Sequence, residues 1–77
     1  MRQGTIFYNA ELDRLDIRFE DGDYGGLCCG NRFEIQLHGL WQYARCEYDH
    51  AVKAWYVLYG DKGAVLNIPP VGLLARV

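Results

Sequence analysis

Cysteine and histidine are the residues of this sequence that could bind a metal ion or act as a nucleophile. The chain has three cysteines, Cys28, Cys29 and Cys46, and two histidines, His38 and His50. A structural zinc site needs four ligands, usually in pairs two to four residues apart, whereas two of these cysteines are adjacent and the other candidates are isolated. A nucleophilic cysteine needs an imidazole held beside its thiol, and His38 or His50 could reach a thiol only through the fold. We therefore expect no metal site, no cofactor and no enzymatic activity.

Other features of the composition narrow the functional classes further. The chain has no serine, and Thr5 is its one threonine, which excludes a serine nucleophile. An odd number of cysteines, two of them adjacent, differs from the even, spaced sets of small secreted domains. No apolar stretch approaches the roughly 18 residues of a membrane span, and the N-terminal residues have no apolar signal core. We expect reduced thiols, a cytoplasmic location and no membrane partner.

The best candidate for a binding site is a group of aromatic and polar residues around a predicted hairpin. On the strand that follows Gly39, alternation places Ala44 and Cys46 on the face opposite to two aromatic residues and an arginine. Small apolar residues suit a core, so the larger residues are predicted to point outward. The alternative is that these rings pack beneath loops. The candidate binding residues are Trp41, Tyr43, Arg45, Gln36 and His38.

Charge helps to choose among the partners that such a surface could bind. Trp, Tyr and Arg dominate protein interfaces and also stack on unpaired bases. The net charge is −2, and residues 11–23 carry six acidic residues against two arginines, an excess that repels phosphate. We therefore predict a non-enzymatic interaction module that binds a protein or a second copy of itself. A nucleic-acid-associated accessory protein is the alternative, and a thiol-dependent enzyme ranks third.

Short alternating segments must position these residues. Leu15, Ile17 and Phe19 alternate with polar residues that include Asp16, which predicts a strand with one solvent-facing side. His38-Gly39 is typical of a tight hairpin turn. Residues 54–59 are apolar on both faces, and the one helical candidate is a single turn near 49–53. The residues predicted to form the core are Leu15, Ile17, Phe19, Phe33, Ile35, Leu37, Leu58 and Val77.

The number and length of these segments indicate the fold class. Five or six short strands in 77 residues are too few for a two-layer sandwich with a large core, but they can close into a barrel that removes exposed edges. We therefore predict one all-β domain over residues 1–77, an SH3-like barrel of five or six strands. An OB-like barrel and an open antiparallel meander are the alternatives.

Several of these segments together resemble a known family. The resemblance is carried by DIRF at residues 16–19, YGGLCCG at 24–30, GLW at 39–41 and WYVL at 55–58. These are similar to a family of short bacterial proteins classed as a domain of unknown function, with a Y-G-G-L-x-C-G loop, a G-x-W hairpin and a W-Y-L strand. Cys28 stands where the family often has histidine. The resemblance implies a cytoplasmic accessory role, often on mobile elements of Gram-positive bacteria, and no known reaction.

Overall fold

The computed structural model describes residues 1–77 and consists of eight strands and connecting turns, without a helix. All strand pairs are antiparallel, and they form one open sheet in the order β3-β2-β1-β8-β4-β5-β6-β7. The prediction of an all-β chain is confirmed. The strands are β1 (Gln3–Asn9), β2 (Arg14–Phe19), β3 (Gly22–Asp23), β4 (Arg32–Leu37), β5 (Leu40–Asp49), β6 (Ala54–Tyr59), β7 (Ala64–Val65) and β8 (Leu74–Arg76).

The sheet differs from the predicted SH3-like barrel in strand number and in closure. Two of the eight strands, β3 and β7, have only two residues each and form the edges of the sheet. A two-residue strand is too short to show alternation in a sequence, which explains the prediction of five or six strands. The sheet is also not a simple meander, because β8 lies between β1 and β4. Short edges leave few unpaired backbone groups for unwanted pairing.

The hairpin between β4 and β5 forms as predicted. His38 and Gly39 both have positive φ, at 51° and 78°, and Leu37 pairs with Leu40 on either side of them. Positive φ at both central residues defines the two-residue type I′ turn, whose twist matches that of the flanking strands. Glycine adopts this conformation without strain. The turn thereby fixes the register that places Trp41 on its strand face.

The core covers one face of the sheet, which we call the inner face. It contains twelve buried residues, including both Ala44 and Cys46 as predicted. Of the eight predicted core residues, six are buried, and Val77 is half-buried against the cluster. The prediction for Leu58 is wrong, because Val57 is the buried residue of β6 and Leu58 lies on the opposite, outer face. Both faces of β6 are apolar, so alternation alone could not distinguish them.

A contact between distant hairpins shows that the sheet curls around this core. The indole Nε1–H of Trp55, at the start of β6, donates to the backbone carbonyl of Asp13 at 2.8 Å. Asp13 lies in the turn between β1 and β2, on the other side of the sheet order. The guanidinium of Arg14 lies 5.4 Å from the centre of the same indole ring. These contacts bring the β1–β2 hairpin against the start of β6.

The strands account for all regular structure in the chain, and residues 50–53, the one helical candidate, form a non-helical turn. No helix long and apolar enough to span a lipid bilayer is present.

Candidate functional site

The candidate binding residues lie mainly on the outer face of β4 and β5. The antiparallel register sets Gln36 opposite Trp41, and it sets Glu34 of β4 opposite Tyr43. Directly opposed residues of an antiparallel pair point to the same face of the sheet. Tyr43 is 71% exposed in the centre of this surface. The predicted outward orientation of the aromatic strand face therefore agrees with the structure.

Trp41 is partly covered by its neighbours on this face. The guanidinium of Arg76 lies 4.2 Å from the centre of the indole ring. The same guanidinium donates to the carboxylate of Glu34, with an Nε–Oε1 distance of 2.9 Å. Trp41 is consequently half-buried. Trp41, Arg76 and Glu34 thus form a packed network of three side chains, and Trp41 also lies beside Tyr43 on the same face.

The other predicted site residues occupy distinct positions. Arg45 is exposed on the outer face and forms an ion pair with Glu47, with an Nε–Oε2 distance of 2.7 Å. Gln36 is half-buried beside Trp41, whereas His38 is exposed in the hairpin turn and lies outside the paired strands. The sheet therefore brings four of the five candidates together on one face and leaves His38 at its end.

Two shallow grooves flank Tyr43, and both contain residues that the sequence did not single out. One groove of about 450 Å³ is lined by Tyr43, Arg45, Arg32, Leu58, Asp61 and the glycines of the β6–β7 turn. A second groove of about 330 Å³ is lined by Trp41, Gln42, Glu34 and the same turn. Residues 60–63, which connect β6 to β7, are Gly-Asp-Lys-Gly. The two glycines of this segment indicate a turn. They do not indicate that the turn forms the wall of a groove.

The three cysteines have different environments. Cys28 and Cys29 are exposed, and the Cys28 thiol sulfur accepts a hydrogen bond from the Arg14 guanidinium at 3.0 Å. Cys46 is fully buried among core residues. Burial, with smaller contributions from Cys29 and neighbouring acidic groups, raises the pKa of the Cys46 thiol to about 12. Cys46 therefore stays protonated at neutral pH, as expected for a small core residue.

The histidines lie in turns and do not complete a metal centre. His38 belongs to the β4–β5 turn, and the His50 ring packs edge-on against Tyr48, with 4.9 Å between the ring centres. No group of three or more His, Cys, Asp or Glu side chains is arranged to hold a metal ion. The exposed thiols of Cys28 and Cys29 and the buried thiol of Cys46 therefore have no surrounding ligand set.

Asp16 was predicted to face solvent on β2, and this prediction is wrong. The glycine-rich loop folds back along β2 and buries Asp16 completely. Its carboxylate accepts hydrogen bonds from the side chain of Asn9 at 3.0 Å and from the backbone amides of Ile17 and Gly25 at 2.8 and 3.0 Å. Burial alone raises the pKa of Asp16, but these hydrogen bonds, with one from Gly26, outweigh that effect and lower the pKa. Asp16 thus positions the loop.

Comparison with known proteins identifies related chains but no reaction. A protein from Ruminococcus gnavus with a known crystal structure has 36% sequence identity to this chain, and the two structures superpose with a TM-score of 0.78. The alignment covers 99% of this chain and 100% of that one. A search of curated proteins gives no match. A family model described as "Domain of unknown function (DUF5348)" matches residues 4–77. The chain therefore belongs to this family of unknown function.

Proposed function

We propose that the chain is a cytoplasmic, non-enzymatic interaction module that binds a protein through the outer face of β4, β5 and β6. The observation that carries this proposal is the position of Tyr43, which is 71% exposed between two grooves on a strand face that no other element covers. Tyr43 lies on β5, whose backbone pairs with β4 on one side and with β6 on the other. An aromatic side chain on a rigid strand loses little conformational entropy on binding, because it has only two rotatable side-chain torsions.

The charges around Tyr43 favour a protein over a nucleic acid. Two of the arginines on this face already have acidic partners, Arg45 with Glu47 and Arg76 with Glu34. Nucleic-acid surfaces instead need unneutralised positive charge that replaces the counterions of phosphates. A surface of mixed charge with a central aromatic residue is typical of protein interfaces. A nucleic-acid accessory role therefore ranks second, and a mobile-element context would fit either role.

Substitution of Tyr43 tests the proposal. We expect Tyr43→Ala to leave the thermal midpoint of unfolding almost unchanged, because the ring is mostly exposed. The same variant should lose binding to a partner protein that the unmodified chain captures from the native host. Tyr24→Ala is the matched control, because Tyr24 is also exposed but lies in the glycine-rich loop. Binding is measured by titration with the purified partner, and light scattering tests whether the partner is a second copy.

The outcomes separate the competing interpretations. Equal affinity of Tyr43→Ala and the unmodified chain would place the interface elsewhere. Binding of single-stranded nucleic acid that depends on Tyr43 would support the second-ranked role. Trp41→Ala is a less specific probe than Tyr43→Ala, because the half-buried indole packs against Arg76 and its loss also disturbs that network.

A further inference from the structure

Two arginines face each other across the outer side of the β4–β5 pair. Arg32 lies directly opposite Arg45 in the strand register, and both side chains are exposed. Like charges at directly opposed positions destabilise a sheet. Arg45 is compensated by Glu47 at 2.7 Å, whereas Arg32 has no acidic side chain within ion-pair distance. The free chain thus holds an arginine pair with one uncompensated positive charge.

The groove beside this pair combines positive charge with an apolar wall. Arg32 and Arg45 line it together with the Tyr43 ring and the Leu58 side chain, and the β6–β7 turn with Asp61 forms the other side. A guanidinium presents a planar set of donors that matches a carboxylate in a two-bond arrangement. An anion bound there would remove the repulsion between the two arginines. The neighbouring ring and Leu58 offer contact to an apolar group.

We propose that this groove binds one acidic side chain of an extended segment in a partner protein, with the adjacent apolar residue of that segment against Tyr43 and Leu58. The proposal rests on the function proposed above and names the chemistry of the partner. Asp61 lines the same groove and Glu47 is paired with Arg45. These two carboxylates offset part of the positive charge of the arginines, which disfavours a polymer of phosphates more strongly than a single carboxylate.

Two short peptides that differ in one residue test this proposal. The probes are acetyl-Gly-Leu-Glu-Leu-Gly-amide and the same peptide with glutamine in place of glutamate, titrated against the ¹⁵N-labelled chain and followed by nuclear magnetic resonance. We expect the glutamate peptide to shift the side-chain Nε–H signals of Arg32 and Arg45 and the amide signal of Tyr43. The glutamine peptide should bind at least about tenfold more weakly, as expected for loss of a charge-assisted hydrogen bond.

Substitutions separate loss of charge from loss of fold. Arg32→Gln should weaken binding of the glutamate peptide by about tenfold or more. The thermal midpoint of this variant should equal or exceed that of the unmodified chain, because the repulsion between the two arginines is removed. Arg18→Gln is the control, because Arg18 is also exposed but pairs with Asp23 at the other edge of the sheet. This variant should bind the peptide normally.

Several results would overturn the proposal. Equal binding of the two peptides, or absence of binding by both, would show that the arginine pair does not select a carboxylate. Tighter binding of inorganic phosphate than of the glutamate peptide would show a phosphate site in its place. If a partner whose binding depends on Tyr43 binds Arg32→Gln with unchanged affinity, this inference fails while the proposed function stands. If a partner captured from the native host binds Tyr43→Ala as tightly as the unmodified chain, the proposed function fails.

Discussion

Asp16 is a buried carboxylate that satisfies donors from three different segments of the chain. Asn9 at the end of β1, Ile17 on β2 and Gly25 in the glycine-rich loop all donate to its oxygens. An ionised carboxylate accepts these bonds more strongly than a neutral group does. Asp16 therefore stabilises the position of the loop that contains YGGL at residues 24–27, and through it the burial of Leu27 in the core.

Replacement of this carboxylate tests its contribution. Asp16→Asn keeps the size of the side chain but replaces one acceptor oxygen with an N–H₂ group that lies among the N–H donors of Asn9, Ile17 and Gly25. We therefore expect the free energy of unfolding at neutral pH to fall by about 2–3 kcal/mol. The lowered pKa of Asp16 means that its stabilisation is complete above the ordinary carboxyl pKa of about 4. It is lost as the pH falls through the lower pKa of the folded state. Urea unfolding at neutral and acidic pH measures both effects.

The pH dependence provides the control for this interpretation. The stability difference between the unmodified chain and Asp16→Asn should narrow on acidification, since only the former loses an ionised Asp16. A difference that stays the same from neutral to strongly acidic pH would show that packing, and not the charge of Asp16, is responsible.

At the scale of elements, β4 lies in the interior of the sheet between β8 and β5. Its residue Ile35 pairs with Gln42 on one side and Ala75 on the other, and it is 0% exposed. We expect Ile35→Ala to lower the free energy of unfolding by about 2–5 kcal/mol, the range for emptying a packed aliphatic site. Urea unfolding measures this change. Gln36→Ala, on the outer face of the same strand, is the control and should change stability by about 0.5 kcal/mol or less.

This comparison also tests the assignment of the two sheet faces. If Ile35→Ala lowers the free energy of unfolding no more than Gln36→Ala does, the inner face of β4 does not support the core. Alternation alone predicted Ile35 as buried, because the polar and apolar residues of β4 separate cleanly. β6 lacks that separation, which is why the same reasoning misplaced Leu58.

At the scale of the whole molecule, a single apolar cluster of twelve residues supports the sheet. Because no group of three metal-binding side chains accompanies it, we expect the fold to depend on this cluster and not on a metal ion. Addition of a strong chelator should leave the thermal midpoint unchanged within error, and elemental analysis should find no stoichiometric zinc. A decrease of many degrees, or one zinc per chain, would contradict this expectation and assign Cys28 or Cys29 a ligand role.

Local sequence patterns were sufficient to predict the all-β class, the tight hairpin turn between β4 and β5, and the inner faces of β2, β4 and β5. Those features depend on neighbours close in the chain, since alternation has a period of two and a His38-Gly39 turn involves adjacent residues. The resemblance to a family of unknown function could likewise be recognised from local motifs, and the family match over residues 4–77 agrees with it.

The contacts between distant segments of the chain could not be predicted from the sequence. β8 lies between β1 and β4 although more than thirty residues separate it from either strand, and no local pattern encodes that pairing. Asp16 is buried because a later loop returns over it, and the groove beside Tyr43 exists because residues 60–63 form its wall. Alternation of polar and apolar residues distinguishes the two faces of a strand. Which segment covers each face depends on contacts between residues far apart in the sequence, and these form only in the complete fold.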